Sequence, residues 1–238
     1  MKIRTGKQTV LVISDTQAPF QHPDSLKFLQ AIKKKYKPTR VVHIGDVTDS
    51  YHLSDYIKDP DGMSACDEIR KMHKFVDDLA KMFPKVDVLT SNHDRRIYRA
   101  AKKAGIPSHY IKDYHAWMHC PKAWKFHDEL EIDGVLYTHG DESGAGGVNA
   151  ALNRAKAYGQ STVSGHLHTL ADIRYYANRQ YLIFGFQVGC LLDHKAFAFA
   201  YSKKNIKKPI IGVGVVDKGI PIFIPMQMTA RGRWTGRL

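Results

Sequence analysis

Three short apolar runs, each released into a polar turn and separated from the next by a helical stripe, constrain this chain more than any other feature. Val10-Leu11-Val12-Ile13 ends at Ser14-Asp15, Val41 to Ile44 ends at Gly45-Asp46, and Val86 to Leu89 leads to Ser91-Asn92-His93-Asp94. Apolar runs of this length read as strands buried on both faces. After the first run, Pro23 can open a helix at its first position. Leu26, Leu29, Ile32 and Tyr36 follow at near-helical spacing, and Pro38 closes it. After the second, Ser64 caps a longer helix with Asp67 in the capping-box position, and Ile69, Met72, Phe75, Val76, Leu79 and Phe83 form its apolar stripe. A βαβαβ series of this kind calls for a parallel sheet with right-handed crossovers. Open sheets of this class bind ligands just beyond the carboxyl ends of their strands, where the polar groups recur here.

The second half changes style. Phe126 to Ile132 and Val135 to Thr138 flank Asp133-Gly134, a two-residue hairpin signal. Asn149 to Tyr158 reads as a helix, and Thr162-Val163-Ser164 as a short strand running into Gly165-His166-Leu167-His168. Two further hairpins are expected: Ala171–Tyr176 with Tyr181–Phe186, and Ile210–Val216 with Ile220–Pro225 around Asp217-Lys218-Gly219. The expected fold class is α/β, with two mixed sheets packed face to face and helices outside. A length of 238 residues suits one domain over 1–238. Residues 105–125 are the least regular and are read as an insertion or cap beside the polar turns. Residues 227–238 are read as a basic tail.

The formal net charge of +13 draws polyanions, of which nucleic acid is the commonest. Cys66, Cys120 and Cys190 stand far apart with no C-x-x-C pair, which argues against a disulfide framework. The apolar run after Lys2, Arg4 and Lys7 is too short for a signal-peptide core. No stretch reaches membrane-spanning length. The expected location is the cytoplasm, with no membrane partner.

Five polar motifs occur in order, each after an expected strand: Asp15-Thr16-Gln17, Gly45-Asp46-Val47-Thr48-Asp49, Ser91-Asn92-His93-Asp94, His139-Gly140 and Gly165-His166-Leu167-His168. They offer carboxylates, an amide and imidazoles, donors suited to borderline divalent metals such as Mn, Fe or Zn. A carboxylate such as Asp46 can bridge two ions. The set resembles the signature of the calcineurin-like metallophosphoesterases: D-x-H, G-D-x-x-D, G-N-H-[DE], a later His-Gly, and G-H-x-H. It spans residues 15 to 168.

Carried over, the resemblance implies an αββα sandwich and hydrolysis of a phosphate ester with two divalent ions, Mn first, with Fe, Zn, Ni or Mg as alternatives. Asp15, Asp46 and His168 would hold one ion, with Gln17 as a further ligand. Asp46, Asn92, His139 and His166 would hold the other. His93 would be the general acid or transition-state donor, and Asp94 would orient its imidazole. Asp49 would stand behind the ligands. Two positions depart from the pattern. Gln17 replaces His, which weakens the first site, shifts it toward Mn or Mg, or leaves position 17 unbound. Ser91 replaces the usual Gly, so a small side chain suffices at that turn.

Other residues carry plainer readings. His115 and His119 lie at i, i+4 beside Cys120, but with no fourth ligand they read as a basic surface patch, and His109 and His127 fit no spacing. His43 reads as a hydrogen-bonded core residue, and His22 and His52 as loop histidines. Arg95, Arg96 and Arg99 follow the third motif and are candidates to hold non-scissile phosphates, or else a solvated helix face. Lys33-Lys34-Lys35, Lys203-Lys204 and Lys207-Lys208 read as solvated. The tail around Arg231, Arg233, Trp234 and Arg237 either grips single strands or frays.

Substrate class is open at this stage. Asp49-Ser50-Tyr51 departs from the D-R-G continuation of protein phosphatases. The charge favours a DNA or RNA phosphodiester, in which respect the chain is similar to the SbcD-type nucleases, though shorter. The alternative is a phosphomonoesterase or nucleotidase acting on a small molecule. A non-catalytic nucleic-acid-binding module is supported by Gln17 alone.

Overall fold

The side chains of the first strand explain the architecture. In β1 (Thr9–Ile13), Leu11 and Ile13 point into one apolar cluster and Val10 and Val12 into another. Alternation along a strand sends neighbours to opposite faces, so a strand apolar at every position needs cover on both sides. Here a computed structural model describes residues 6–55, 58–142, 147–193, 195 and 207–238.

β1 lies in a six-stranded sheet. It pairs in parallel with β2 (Arg40–His43), then β3 (Asp87–Leu89), then β4 (Lys125–His127). A hairpin formed late in the chain completes its other side: β10 (Gly212–Asp217) runs antiparallel to β1, and β11 (Ile220–Pro225) to β10. The second sheet has the order β5 (Glu129–Ile132), β6 (Val135–Thr138), β7 (Ser161–Ser164), β9 (Leu182–Gln187), β8 (Asp172–Ala177). Its central strands β6, β7 and β9 are parallel, and both edges are antiparallel.

Between the sheets, Val12, Val42, Ile44 and Leu89 meet Tyr137, Val163, Phe184 and Phe186. On the outer face of the first sheet lie α1 (Ser25–Tyr36) and α2 (Ala65–Met82), burying Phe28, Leu29, Ile32, Phe75, Val76 and Leu79. Each such side chain taken from water contributes roughly 1.5–3 kcal/mol before its ordering cost is set against it. On the outer face of the second sheet lies α5 (Ala150–Tyr158), whose Ala150, Ala151 and Ala155 are buried. The expected two mixed sheets with helices outside are therefore what the chain forms. No helix among the described residues is long and apolar enough to cross a membrane.

Several local expectations change. The first helix begins at Ser25, not Pro23, with Asp24 at its cap position. The Asp24 carboxylate caps no helix N–H, because it accepts instead from Arg233 Nε at 2.7 Å, Arg233 Nη2 at 2.5 Å and Trp234 N at 3.1 Å. The Ser64 cap forms as expected, accepting from Asp67 N at 3.1 Å. Ile69 of the α2 stripe is exposed rather than buried, as it edges a cavity. The expected strand Phe126–Ile132 divides at Asp128: its first part joins the first sheet and its second part the second sheet. The last hairpin turns on Lys218-Gly219 alone, both at positive φ, with Asp217 paired to Ile220.

Residues 105–125 follow α3 (Arg96–Lys103) and contain a 3₁₀ turn and α4 (Tyr114–Met118). Met118, Cys120 and Trp124 join the core cluster around α2, and Trp124 Nε1 donates to Phe83 O at 3.0 Å. Lys112, Ala116 and Trp117 line a cavity of about 210 Å³ together with Ala18, Thr48 and Ser50. The frayed reading of the C-terminal tail gives way as well. Trp234 stacks edge-on against Phe28 at 5.6 Å, and Leu238 packs against the same core. Lys203 and Lys204 lie outside the described residues.

Two outcomes follow from this packing. A Cβ at Gly185 would stand 2.3 Å from the backbone of Ala151 and Leu152, so Gly185→Ala must lift α5 from its sheet. A loss of about 3 kcal/mol is expected, read from the urea midpoint. Arg233 is the largest influence holding the Asp24 carboxyl well below the usual carboxylate range. Arg233→Ala should lower the urea midpoint at pH 7 and speed trypsin cleavage after Arg231. Because the carboxyl is depressed in the folded state, that difference should be complete above about pH 4 and narrow as the pH falls below it.

Candidate metal centre

Every residue of the five motifs leaves a parallel strand at its carboxyl end. Asp15 and Gln17 follow β1, Asp46 follows β2, Asn92 and His93 follow β3, His139 follows β6, and His166 and His168 follow β7. The two sheets bring these turns to one edge. Asp46, His139 and His166 place one donor atom each within 4.8 Å of one another, and Asp15, Asp46 and His168 do the same. Asp46 belongs to both groups.

The turns are strained in a concentrated way. Asp15, Gln17, Asp46 and His166 all take φ between 43° and 69°, a region non-glycine residues rarely occupy. Gly45, at φ 107°, lies so close to His139 that an added Cβ would meet its Nδ1 at 2.4 Å. Surrounding hydrogen bonds hold these conformations. Ser91 Oγ accepts from Asp46 N at 2.8 Å and donates to Asp94 Oδ2 at 2.8 Å. The departure from Gly at position 91 therefore adds a hydroxyl that ties the second motif to the third.

Electron-pair donors crowd together. His139 Nδ1 donates to Ile44 O at 2.9 Å, which leaves Nε2 of the neutral ring as a lone pair. That Nε2 stands 2.9 Å from Asn92 Oδ1 and 3.4 Å from Asp46 Oδ1, both acceptors. A proton or a metal cation must lie among them. Burial alone would lower the His139 pKa, but the carboxylates of Asp46 and Asp15 raise it. His168 Nε2 is 3.1 Å from Asp15 Oδ1 and is likewise raised against burial by Asp15.

Gln17 Nε2 lies 3.3 Å from Asp46 Oδ2 and 3.3 Å from His168 Nε2, while its Oε1 is buried without a partner. Turning the amide over would put the oxygen where a cation shared with Asp46 and His168 would take it. The donor set, with two buried carboxylates, imidazole lone pairs and an orphaned amide oxygen, fits divalent ions.

His93 stands at the edge of this group. Its Nδ1 donates to Asp49 O at 3.1 Å, and its Nε2 accepts from Arg96 Nη2 at 3.2 Å and lies 3.9 Å from Asp46 Oδ2. Burial, the largest influence, lowers its pKa to about 4. Asp94 does not orient this ring. Its carboxylate accepts from Val47 N at 3.2 Å, Thr48 N at 3.0 Å and Thr48 Oγ1 at 2.8 Å, so it braces the loop that carries Asp46. Burial pushes its pKa up to about 6. Asp49 is the residue beside His93, and its carboxylate also takes Arg96 Nη1 at 3.1 Å. Burial raises Asp49 to about 7.

The three arginines are not equivalent. Arg95 pairs with Asp141 at 2.6 Å, Arg96 is engaged by Asp49 and His93, and Arg99 donates to Asn92 O at 3.2 Å. His43 is a buried core residue bonded to Thr16 Oγ1 at 3.0 Å. His22, buried, contacts Gly232 O of the tail at 3.0 Å, and His52 pairs with Glu68 at 2.8 Å. His115 bonds Trp124 O at 2.8 Å, whereas His119 turns to Asp77 at 3.2 Å, so the two form no site with Cys120. One residue escaped the sequence reading. Arg154 is buried between the His139 and His166 turns, and its signal was a cation at i+3 and i−1 from the buried Ala151 and Ala155.

The family profile described as calcineurin-like phosphoesterase matches residues 8–185, which include all five motifs. The "Gene 54 protein" of Mycobacterium phages D29 and L5 is similar at 26% identity over 214 residues, covering 78% of this chain and 80% of each phage protein. Among solved structures, Vps29 of Chaetomium thermophilum aligns at 8% identity and TM-score 0.49, covering 95% of this chain and 93% of its own. Yfce, a phosphoesterase from E. coli, aligns at 13% identity and TM-score 0.40, covering 88% of each chain. The Pseudomonas putida nuclease MPE aligns at 12% identity and TM-score 0.36, covering 90% of this chain and 87% of its own. With the profile matched across most of its length and through every motif, the chain belongs to the calcineurin-like phosphoesterase family.

Proposed function

We propose that this protein is a dinuclear metal-dependent phosphodiesterase acting on DNA or RNA. The observation that carries the reading is the pair of donor groups joined at Asp46. Asp15, Asp46, His168 and Gln17 would hold one divalent ion, and Asp46, Asn92, His139 and His166 the other, with Mn the expected metal. When bound, such a pair lowers the pKa of water toward neutrality and neutralises charge on phosphoryl oxygens.

The chain's own residues then supply orientation and a proton. Asp49 O fixes the His93 ring through Nδ1, leaving Nε2 on the side of Asp46. There it is placed to donate to a phosphoryl or leaving oxygen once a phosphate draws a proton onto it. Arg96, held by Asp49, presents its second guanidinium nitrogen to the same point. Arg99 remains a candidate for a neighbouring phosphate, while Arg95 is committed to Asp141. The net charge of +13 supports a polyanionic substrate.

His93→Ala should lower turnover by about 10²–10⁴-fold with metal content unchanged, as measured by steady-state kinetics and elemental analysis. Undiminished turnover would remove His93 from the reaction. The Mn-loaded protein should carry two ions and lose activity in EDTA. It should also hydrolyse bis-p-nitrophenyl phosphate in preference to p-nitrophenyl phosphate, and cut single- or double-stranded DNA. Preference for the monoester with DNA left intact would point to a small-molecule phosphatase, and no bound metal to a binding module.

A further inference from the structure

The two turns that carry His139 and His166 rest on a buried polar chain that the proposed chemistry does not use. Arg154 of α5 is 3% exposed, Ser164 is 0% exposed and Gln187 is 1% exposed. Arg154 Nη2 donates to Gly140 O, the carbonyl directly after His139. Arg154 Nη1 donates to Ser164 Oγ at 3.2 Å. Ser164 Oγ in turn donates to Gln187 Oε1 at 3.2 Å, and Gln187 Nε2 donates to Gly165 O at 2.5 Å, directly before His166. Every donor in this series finds an acceptor, running from a cation to the peptide that sets the φ of 69° at His166. Glu142 balances the guanidinium through Nε at 3.0 Å. The two turns are also tied directly by Gly165 N to His139 O at 2.9 Å.

The Asp15–Asp46–His168 group has less of this support. Asp15 is held by Ser14 Oγ and by His166 N, and His168 by Asp15 and Gln17. None of these accepts from Arg154 or Gln187. The brace therefore holds the backbone carbonyls beside both histidines of one donor group, and reaches the other only at one remove, where the N–H of the peptide held by Gln187 donates to Asp15 Oδ2.

We infer that Arg154, acting directly on Gly140 O and through Ser164 and Gln187 on Gly165 O, is a positioning residue that sets the metal affinity of the Asp46–His139–His166 group more strongly than that of the Asp15–Asp46–His168 group. This inference rests on the two-ion reading above. A buried planar guanidinium holds two acceptors in fixed directions at once, which lysine cannot do. Partners that orient ligands in this way typically change metal affinity by roughly 10–100-fold when removed.

The experiment is Mn²⁺ titration of metal-stripped full-length protein by calorimetry, with urea midpoints of the stripped forms measured in parallel. Arg154→Met should weaken one of two bound ions by roughly 10–100-fold and the other by clearly less. Arg154→Lys should recover part of the loss. In a His168→Ala background, which leaves only the braced group intact, Arg154→Met should weaken the remaining ion by the same roughly 10–100-fold. In a His166→Ala background, which leaves only the other group intact, its effect on the remaining ion should be clearly smaller. Should Arg154→Met fail to fold, Gln187→Met, which frees Gly165 O and removes the acceptor of Ser164 Oγ but leaves the Arg154 bond to Gly140 O, must show the same preference. Equal weakening of both ions, or of neither, overturns the inference. A wild-type protein that binds no pair of ions overturns the two-ion reading instead.

Discussion

Two carboxylates, Asp15 and Asp46, are buried within reach of each other, and the organisation of the site follows from having to keep them there. Each is 1% exposed, and no lysine or arginine among the described residues pairs with either. A buried anion without a counter-charge is costly, and a second beside it more so. Imidazoles from His93, His139 and His168 supply part of the compensation and, against burial, pull Asp46 well below its ordinary range. Backbone N–H groups add to it, with His93 N donating to Asp46 Oδ1 at 3.2 Å and His166 N to Asp15 Oδ2 at 3.1 Å. Divalent cations complete the balance in the proposed function.

Holding unfavourable charges demands a rigid surround, and the fold provides it in layers. β1, β2 and β3, which end in three of the motifs, place apolar side chains in both core clusters, so the first sheet cannot slide without exposing a core. The turns beyond the strands take left-handed backbone at four motif positions, Asp15, Gln17, Asp46 and His166. Such conformations persist only where neighbours over-determine them. Ser91 and Asp94 do this for Asp46, and Arg154, Ser164 and Gln187 for the turns at His139 and His166. Polar groups buried beneath the site thus hold in place the turns that carry the donor side chains above.

Legibility in the sequence followed the range of the interaction. The strands, the Ser64 cap and the Asp133-Gly134 turn depend on neighbours within a few residues, and they read directly. The break at Asp128 did not, because Phe126 and Leu130 are equally good strand residues. Which sheet each joins is fixed by partners 38 residues back at Val88 and seven ahead at Tyr137. The start of α1 did not read correctly either: Asp24, not Pro23, precedes its first turn, and its carboxylate is spent on Arg233, separated by 209 positions. Asp94 followed the family pattern in identity, but its partners are Val47 and Thr48 rather than the adjacent His93.

The sequence by itself determined that donors for divalent metals stand at five strand ends in a parallel α/β frame, because strand burial and turn chemistry are local and the motif order is visible in one dimension. Only the tertiary structure decided that Asp46 serves both donor groups, that Asp49 rather than Asp94 abuts His93, and that Arg154 lies beneath the ligands. These are facts of distance between residues tens to more than a hundred positions apart. They are set by how two sheets close on a shared core, which no local pattern of residues encodes.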